Sequence, residues 1–280
     1  MNKEQKQELK QRLDQQACWT VGQVRNLVKK QYGVSYGPRQ MQRILRQLGL
    51  YCYKPQPRDF RQAEKADEKL KERLRAVADA LGLKGKDLEQ LSIGFADESS
   101  PQIHANSARL WSTRKGVLKK VNTDKKKQNS FGFYALKGKS VIASMGKGNQ
   151  ENIVKMLMLI RKMLMLIREA NLEAQTIIVI WDNHSAHLTP LVEQTAKDLQ
   201  IVLVNLPPYS PNLNPIERIW KQIKKTISEA GLIEHVKHLE HLIQSAFKEY
   251  VKKLSFAKSW IEDIWNTVFV NNPIPFSDKL

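Results

Sequence analysis

Thr176-Ile177-Ile178-Val179-Ile180-Trp181-Asp182-Asn183-His184-Ser185-Ala186-His187 is the stretch that decides the fold. A nearly continuous run of β-branched and aromatic side chains reads as a strand buried on both faces, which occurs where helices cover both sides of a sheet. The acid that follows, Asp182, then lies at the carboxyl edge of that sheet, where open α/β sheets place their sites. Downstream, 201–206 reads as a second buried strand, with a helix over 191–199 between the two. Upstream, the short apolar runs 91–96, 108–111, 131–136 and 141–143 read as consecutive strands, and 152–170 as a long helix. A meander of strands followed by alternating helix and strand predicts an α/β fold, a mixed sheet flanked by helices.

The N-terminal part reads differently. Residues 3–16 predict a weakly amphipathic helix. Thr20 caps a second helix, whose Val21, Val24, Leu27 and Val28 follow the spacing of one face, and which ends near Tyr32-Gly33. Pro38 opens a third, with Met41, Ile44, Leu45 and Leu48 as its buried stripe and Gly49 as its stop. Its other face carries Arg39, Gln40, Gln42, Arg43, Arg46 and Gln47 with no carboxylate, the side chains that meet phosphates and base edges in a major groove. This is a helix-turn-helix plan, and the bland alternative is a three-helix packing module without a DNA target. Tyr51-Cys52-Tyr53 is expected to add a short strand or wing, and Lys54-Pro55-Gln56-Pro57-Arg58 an extended basic linker. The expected domains are therefore 1–58, a helix-turn-helix domain with its linker; 59–90, a connecting helix; 91–232, the α/β domain; and 233–280, helices packing on it. In that last part Leu239, Leu242, Ile243, Phe247, Val251 and Leu254 form one side, followed by Trp260 and Trp265; dimerisation is the lesser use of that face.

Charge points to the partner. Of 280 residues, 46 are Lys or Arg and 28 Asp or Glu, a net charge of +18 with a pI near 9.8, so polyanions are the natural ligands. Eight cations and no acid lie between Ala17 and Arg58, and nine cations against Asp124 alone between Arg114 and Lys139. The polar start has no signal-peptide core, and the most apolar helical stretch, 153–167, is interrupted by Lys155, Arg161 and Lys162 and falls short of the roughly 18–20 residues of a bilayer span. Cys18 and Cys52 are read as reduced, small core residues.

Three acids sit at telling places: Asp97 at the end of the first strand, Asp182, and Glu217 at the start of a helix over 217–228. With Asn214 as cap and Pro215 in the first turn, Glu217 is expected at the third helical position. Each alone reads equally as a turn residue, a loop residue or half of a capping box. Together, from three separate elements beside tracts of positive charge, they suggest carboxylates converging on two divalent ions about 3.5–4 Å apart. Neighbouring strand residues face opposite ways, so Asp97 and Glu98 cannot both face the other acids. His184 and His187, without cysteines, make a poor zinc site and are expected at the edge of the active site.

Asp97-Glu98, Trp181 to His187, and Leu206-Pro207-Pro208-Tyr209-Ser210-Pro211-Asn212-Leu213-Asn214-Pro215-Ile216-Glu217-Arg218-Ile219-Trp220 resemble the three motifs of DDE transposases, and more narrowly the bacterial insertion-sequence branch of the mariner superfamily. The 34 residues between Asp182 and Glu217 match the spacing of that superfamily. The resemblance implies a ribonuclease-H-like catalytic domain behind the helix-turn-helix, with Asp97, Asp182 and Glu217 holding two Mg²⁺ or Mn²⁺. One ion would activate water or a DNA 3′-hydroxyl and the other stabilise the leaving oxygen. Asn183, His184, His187, Tyr209 and Asn214 would line the active-site edge. Lys54, Arg58, Arg114, Lys115, Lys119 and Lys120 would meet DNA phosphates together with Arg39, Gln40, Gln42, Arg43 and Arg46.

The activity so implied is binding of double-stranded DNA at terminal inverted repeats, two-metal cleavage, and joining of 3′ ends to target DNA at TA dinucleotides. It would be carried out by a homodimer in the bacterial cytoplasm, at the nucleoid, with no membrane and no small-molecule substrate. Two other readings stand beside it: a defective transposase that only binds DNA, and a related nuclease or resolvase without strand transfer. Family members carry a further helix-turn-helix, for which there is no room before Ala17, so the chain is expected to be shortened or one frame of a split gene. Lys155-Met156-Leu157-Met158-Leu159-Ile160-Arg161 repeats as Lys162-Met163-Leu164-Met165-Leu166-Ile167-Arg168. Seven residues turn a helix face by only about 20°, so the duplication is read as a longer helix whose stripe is core or a subunit seam.

Overall fold

The computed structural model describes residues 1–15, 18–53, 59–83, 85–104, 108, 113, 120–144 and 153–269. The expected strand at 108–111, the linker residues Lys54 to Arg58, and Arg114, Lys115 and Lys119 lie wholly or largely outside them. The chain forms two compact units, Met1–Pro57 and Arg58–Leu280.

In the first unit, α1 (Lys3–Leu13) and α2 (Val21–Tyr32) both start on reciprocal capping boxes, Asn2 with Gln5 and Thr20 with Gln23. Gly33, left-handed at φ 69°, ends α2, and Pro38 opens α3 (Pro38–Gln47). Leu9, Leu13, Val24, Val28, Met41 and Ile44 are buried together, with Leu45 and Leu48 packed against them. Two expectations are corrected here, the short strand at 51–53 and the buried cysteines. Tyr51, Cys52 and Tyr53 form no strand: they are coil, and the two tyrosines are exposed. Cys18 and Cys52 are exposed rather than core, because the helical stripes fill the interior without them.

The second unit opens with α4 (Ala66–Ala80), then builds β1 (Leu91–Ser99), β2 (Ser130–Lys137), β3 (Val141–Ser144), α5 (Ile153–Ala170), β4 (Thr176–Trp181), α6 (Pro190–Asp198), β5 (Ile201–Asn205), α7 (Ile216–Glu229) and α8 (Val236–Tyr250). The sheet order is β3-β2-β1-β4-β5; β1 to β3 pair antiparallel, while β1 with β4 and β4 with β5 pair parallel. This is the mixed sheet flanked by helices that the hydrophobic patterning predicts. Alternation divides its side chains between two cores. Ile93, Phe95, Ile178 and Ile180 share one with α4, α7, α8 and the helical turns holding Trp260 and Trp265. Ala96, Phe131, Val179 and Trp181 share the other with α5 and α6. Within α5 the duplicated positions behave alike: Ile160 and Ile167 are buried, Met158 and Met165 exposed. The repeat thus keeps one face on the sheet.

Candidate active site

The parallel register that pairs Phe95 with Ile180 leads, two residues further on each strand, to Asp97 and Asp182. Both continue the side-chain set of Phe95 and Ile180, the face covered by α7. Glu217 is the second residue of α7, which starts at Ile216 behind Pro215. Pro215 already has helical φ and ψ while Asn214 is extended, so by backbone conformation Asn214 stands at the cap and Glu217 third; what is absent is a side-chain cap hydrogen bond. The Asn214 carbonyl accepts from the Glu217 N–H at 3.2 Å, while its own Oδ1 is buried and accepts no hydrogen bond.

Two of the three acids feel a neighbouring carboxylate. The Asp97 carboxyl is raised well above the ordinary carboxylate range, chiefly by burial and then by the charges of Glu217, Glu98 and Asp182. Glu217 is raised by burial, Lys224 opposing and Asp182 reinforcing. Asp182 is lowered: burial pushes it up, but hydrogen bonds from His187 and from the His184 N–H outweigh that. Among the described residues no group of three or more His, Cys, Asp and Glu yet closes on a point tightly enough to grip an ion.

The residues around Asp182 are tied down. The His184 N–H donates to Asp182 Oδ1 at 3.0 Å, and Asn183 Nδ2 donates to the Leu206 carbonyl at 2.6 Å. His187 has a side chain 1% exposed, with Nδ1 2.9 Å from Asp182 Oδ1 and Nε2 3.0 Å from Glu98 Oε1. Its ring is stacked on Trp181, centroids 4.3 Å apart. Burial pulls the imidazole pKa down, yet the two carboxylates carry it up to about 9. Spacing alone gave His184 and His187 as edge residues; the part played by Glu98 was missed. The signal was present, because alternation that turns Glu98 away from Asp97 turns it toward the face of Trp181 and His187.

Tyr209, left-handed at φ 56°, carries the Arg61 guanidinium 3.8 Å above its ring, and Gln62 donates to Ser210 Oγ and Asn212 Oδ1. The chain entering this unit is thus fastened to the loop that leads to Glu217. No described contact joins the Tyr209 or Asn214 side chain to the acids. In the first unit Arg39, Gln40, Gln42, Arg43 and Arg46 are all exposed along α3; in the second, Lys120 is exposed.

A family model described as DDE superfamily endonuclease matches residues 92–240, more than half of the chain and all three acids. The chain belongs to the DDE superfamily of endonucleases. A second model, winged helix-turn helix, matches residues 15–74 of this DDE endonuclease. No curated protein matches it. Among solved structures it is similar to the mariner Mos1 paired end complex with Mg (18% identity, TM-score 0.60), the Mos1 mariner paired end complex with Mn (15%, 0.60) and the Mos1 strand transfer complex (15%, 0.56). In each case 92% of this chain and 78% of that chain are covered. At these identities the likeness is one of fold, and it agrees with the ribonuclease-H-like architecture that the motifs imply.

Proposed function

We propose that this DDE endonuclease is a transposase that binds terminal inverted repeats, cleaves the DNA there, and joins the freed 3′ ends to target DNA at TA dinucleotides. Asp97, Asp182 and Glu217 are its catalytic acids and hold two Mg²⁺ or Mn²⁺. The observation that carries the reading is that β1, β4 and α7 bring three acids to one edge of the sheet, where the charges of Glu217 and Asp182 raise Asp97 and that of Asp182 raises Glu217. A donor set of carboxylates with a surplus of negative charge suits hard divalent cations. When bound, such ions polarise the scissile phosphate and activate the attacking oxygen. The chain's residues supply the rest. The acids present oxygen ligands at the strand ends, Lys224 offsets part of the charge at Glu217, and the exposed face of α3 grips the duplex.

The similar Mos1 structures are complexes with a transposon end, with Mg and with Mn, which favours the same partners here. Assembly as a homodimer on DNA, a cytoplasmic location at the nucleoid and membership of the bacterial insertion-sequence branch go with this reading. No helix among the described residues is long and apolar enough to cross a membrane. The domain limits 1–58, 59–90, 91–232 and 233–280, and the phosphate contacts of Lys54, Arg58, Arg114, Lys115, Lys119 and Lys120, belong to the same proposal. The test is a labelled duplex carrying the host element's terminal repeat, incubated with Mn²⁺ and either the unmodified chain or Asp182→Ala, with binding and cleavage scored separately. Both should bind, and Asp182→Ala should cleave at least about 100-fold more slowly, since charge stabilisation by bound metal is worth several kcal/mol. Joined products identify strand transfer. Binding without cleavage by either protein overturns the catalytic reading.

A further inference from the structure

Asp182 is the first residue beyond β4, and its side chain is 53% exposed, so nothing in the strand itself fixes its carboxylate. Yet its Oδ1 takes two donors, the His184 N–H and His187 Nδ1, while among the described residues Oδ2 takes none. The imidazole that does this is held on every side. Trp181 lies parallel to it at 4.3 Å, Phe131 lies beyond at 6.3 Å, and Glu98 accepts at its far nitrogen. Trp181 is anchored in turn, its Nε1 donating to Asn205 Oδ1 on the neighbouring strand at 2.8 Å. The ring thus transmits the position of β1 and β5 to a side chain that would otherwise sample several rotamers.

We infer that His187 and Glu98 are positioning residues of this centre: His187, clamped by Glu98 and Trp181, locks Asp182 Oδ1 and so presents Oδ2 toward the shared edge. The inference rests on the metal-binding reading of Asp182. A partner that orients a ligand lowers the entropy lost when an ion binds, and its removal typically costs 10–100-fold in metal affinity. Glu98 does not serve as a ligand, because it stands on the opposite face of β1 from Asp97 and its Oε1 is turned to the imidazole.

The experiment is isothermal titration of Mn²⁺ into the DNA-free full chain, with melting temperatures measured alongside. Four proteins are compared with the unmodified chain: His187→Asn, His187→Gln, Glu98→Ala and Asp97→Asn. An asparagine amide falls near the place of Nδ1 and keeps a donor for Asp182; a glutamine amide falls near Nε2 and keeps only the Glu98 contact. His187→Gln should weaken Mn²⁺ binding about 10–100-fold and Glu98→Ala by less. His187→Asn should recover most of the affinity although both His187 variants lose stability. The cleavage rate of His187→Gln should climb back as Mn²⁺ is raised. Mn²⁺ binding by His187→Gln equal to that of the unmodified chain, or equal loss in the Asn and Gln variants in step with melting temperature, overturns this inference alone. An unmodified chain that takes up no Mn²⁺, or an Asp97→Asn chain that binds it as well, overturns the reading of the site and this inference with it.

Discussion

Both ring nitrogens of His187 face carboxylates, so both must carry protons for the two hydrogen bonds to exist together. Its pKa in the folded chain is about 9 against an ordinary 6.5, the carboxylates overcoming the opposing effect of burial. A raised pKa means that the folded state holds the proton more tightly than the unfolded one. The stabilisation is therefore complete below about 6.5 and is lost as pH rises through about 9. Urea unfolding of the metal-free protein should show stability declining between pH 6.5 and 9.5, and His187→Gln should flatten that decline. Nitrogen NMR of the ring at pH 7.5 should show two protonated nitrogens. A single protonated nitrogen there would contradict the double contact.

At the scale of elements, the turn from β2 to β3 shows how tightly backbone and side chains are fitted. Gly138 has φ +103°, and a Cβ placed on it would run into Ser92 Oγ and Asn171 Oδ1. Asn171 is buried and fully used: its Oδ1 accepts from Lys139 N–H, and its Nδ2 donates to the carbonyls of Lys139 and Ile167. Gly138→Ala combines a strained backbone with overpacking and should cost about 1–3 kcal/mol, read as a lower urea midpoint with little change in slope.

Much of the element plan was legible because period and punctuation agreed. The run from Thr176 to Trp181 is β4 to the residue, and Pro38 and Thr20 sit where their helices begin. The site was legible as far as the three acids, since each follows an apolar strand or opens a helix. What could not be read were features set by partners distant in sequence. Glu98 and His187 meet across 89 positions. Gln62 is tied to Ser210 and Asn212 across 148 and 150 positions, and nothing local revealed that link. Tyr51 to Tyr53 has strand-like residues but no neighbour to pair with among the described ones.

For the whole molecule the leading quantity is charge. On the proposed reading of α3 as the helix that meets DNA, a net +18 and the absence of acids from α3 imply binding driven largely by release of counterions. Fluorescence anisotropy across a salt series should show Arg43→Ala weakening all duplexes and, if the residue meets a phosphate, lowering the slope of log affinity against log salt by about 1. Loss confined to one repeat sequence would instead mark a base contact.

The three acids lie at positions 97, 182 and 217: on β1, just beyond the adjacent β4, and on a helix that must pack over the sheet. Trp220 on α7 and Phe247 on α8 close against Gly132 of β2, so the helix is seated only when the sheet beneath and the next helix are both in place. A chain still being synthesised therefore holds two of the acids long before the third arrives. On the proposed reading of the site, the cluster is complete only once α7 has docked, so its assembly reports the folding of sheet and helices together.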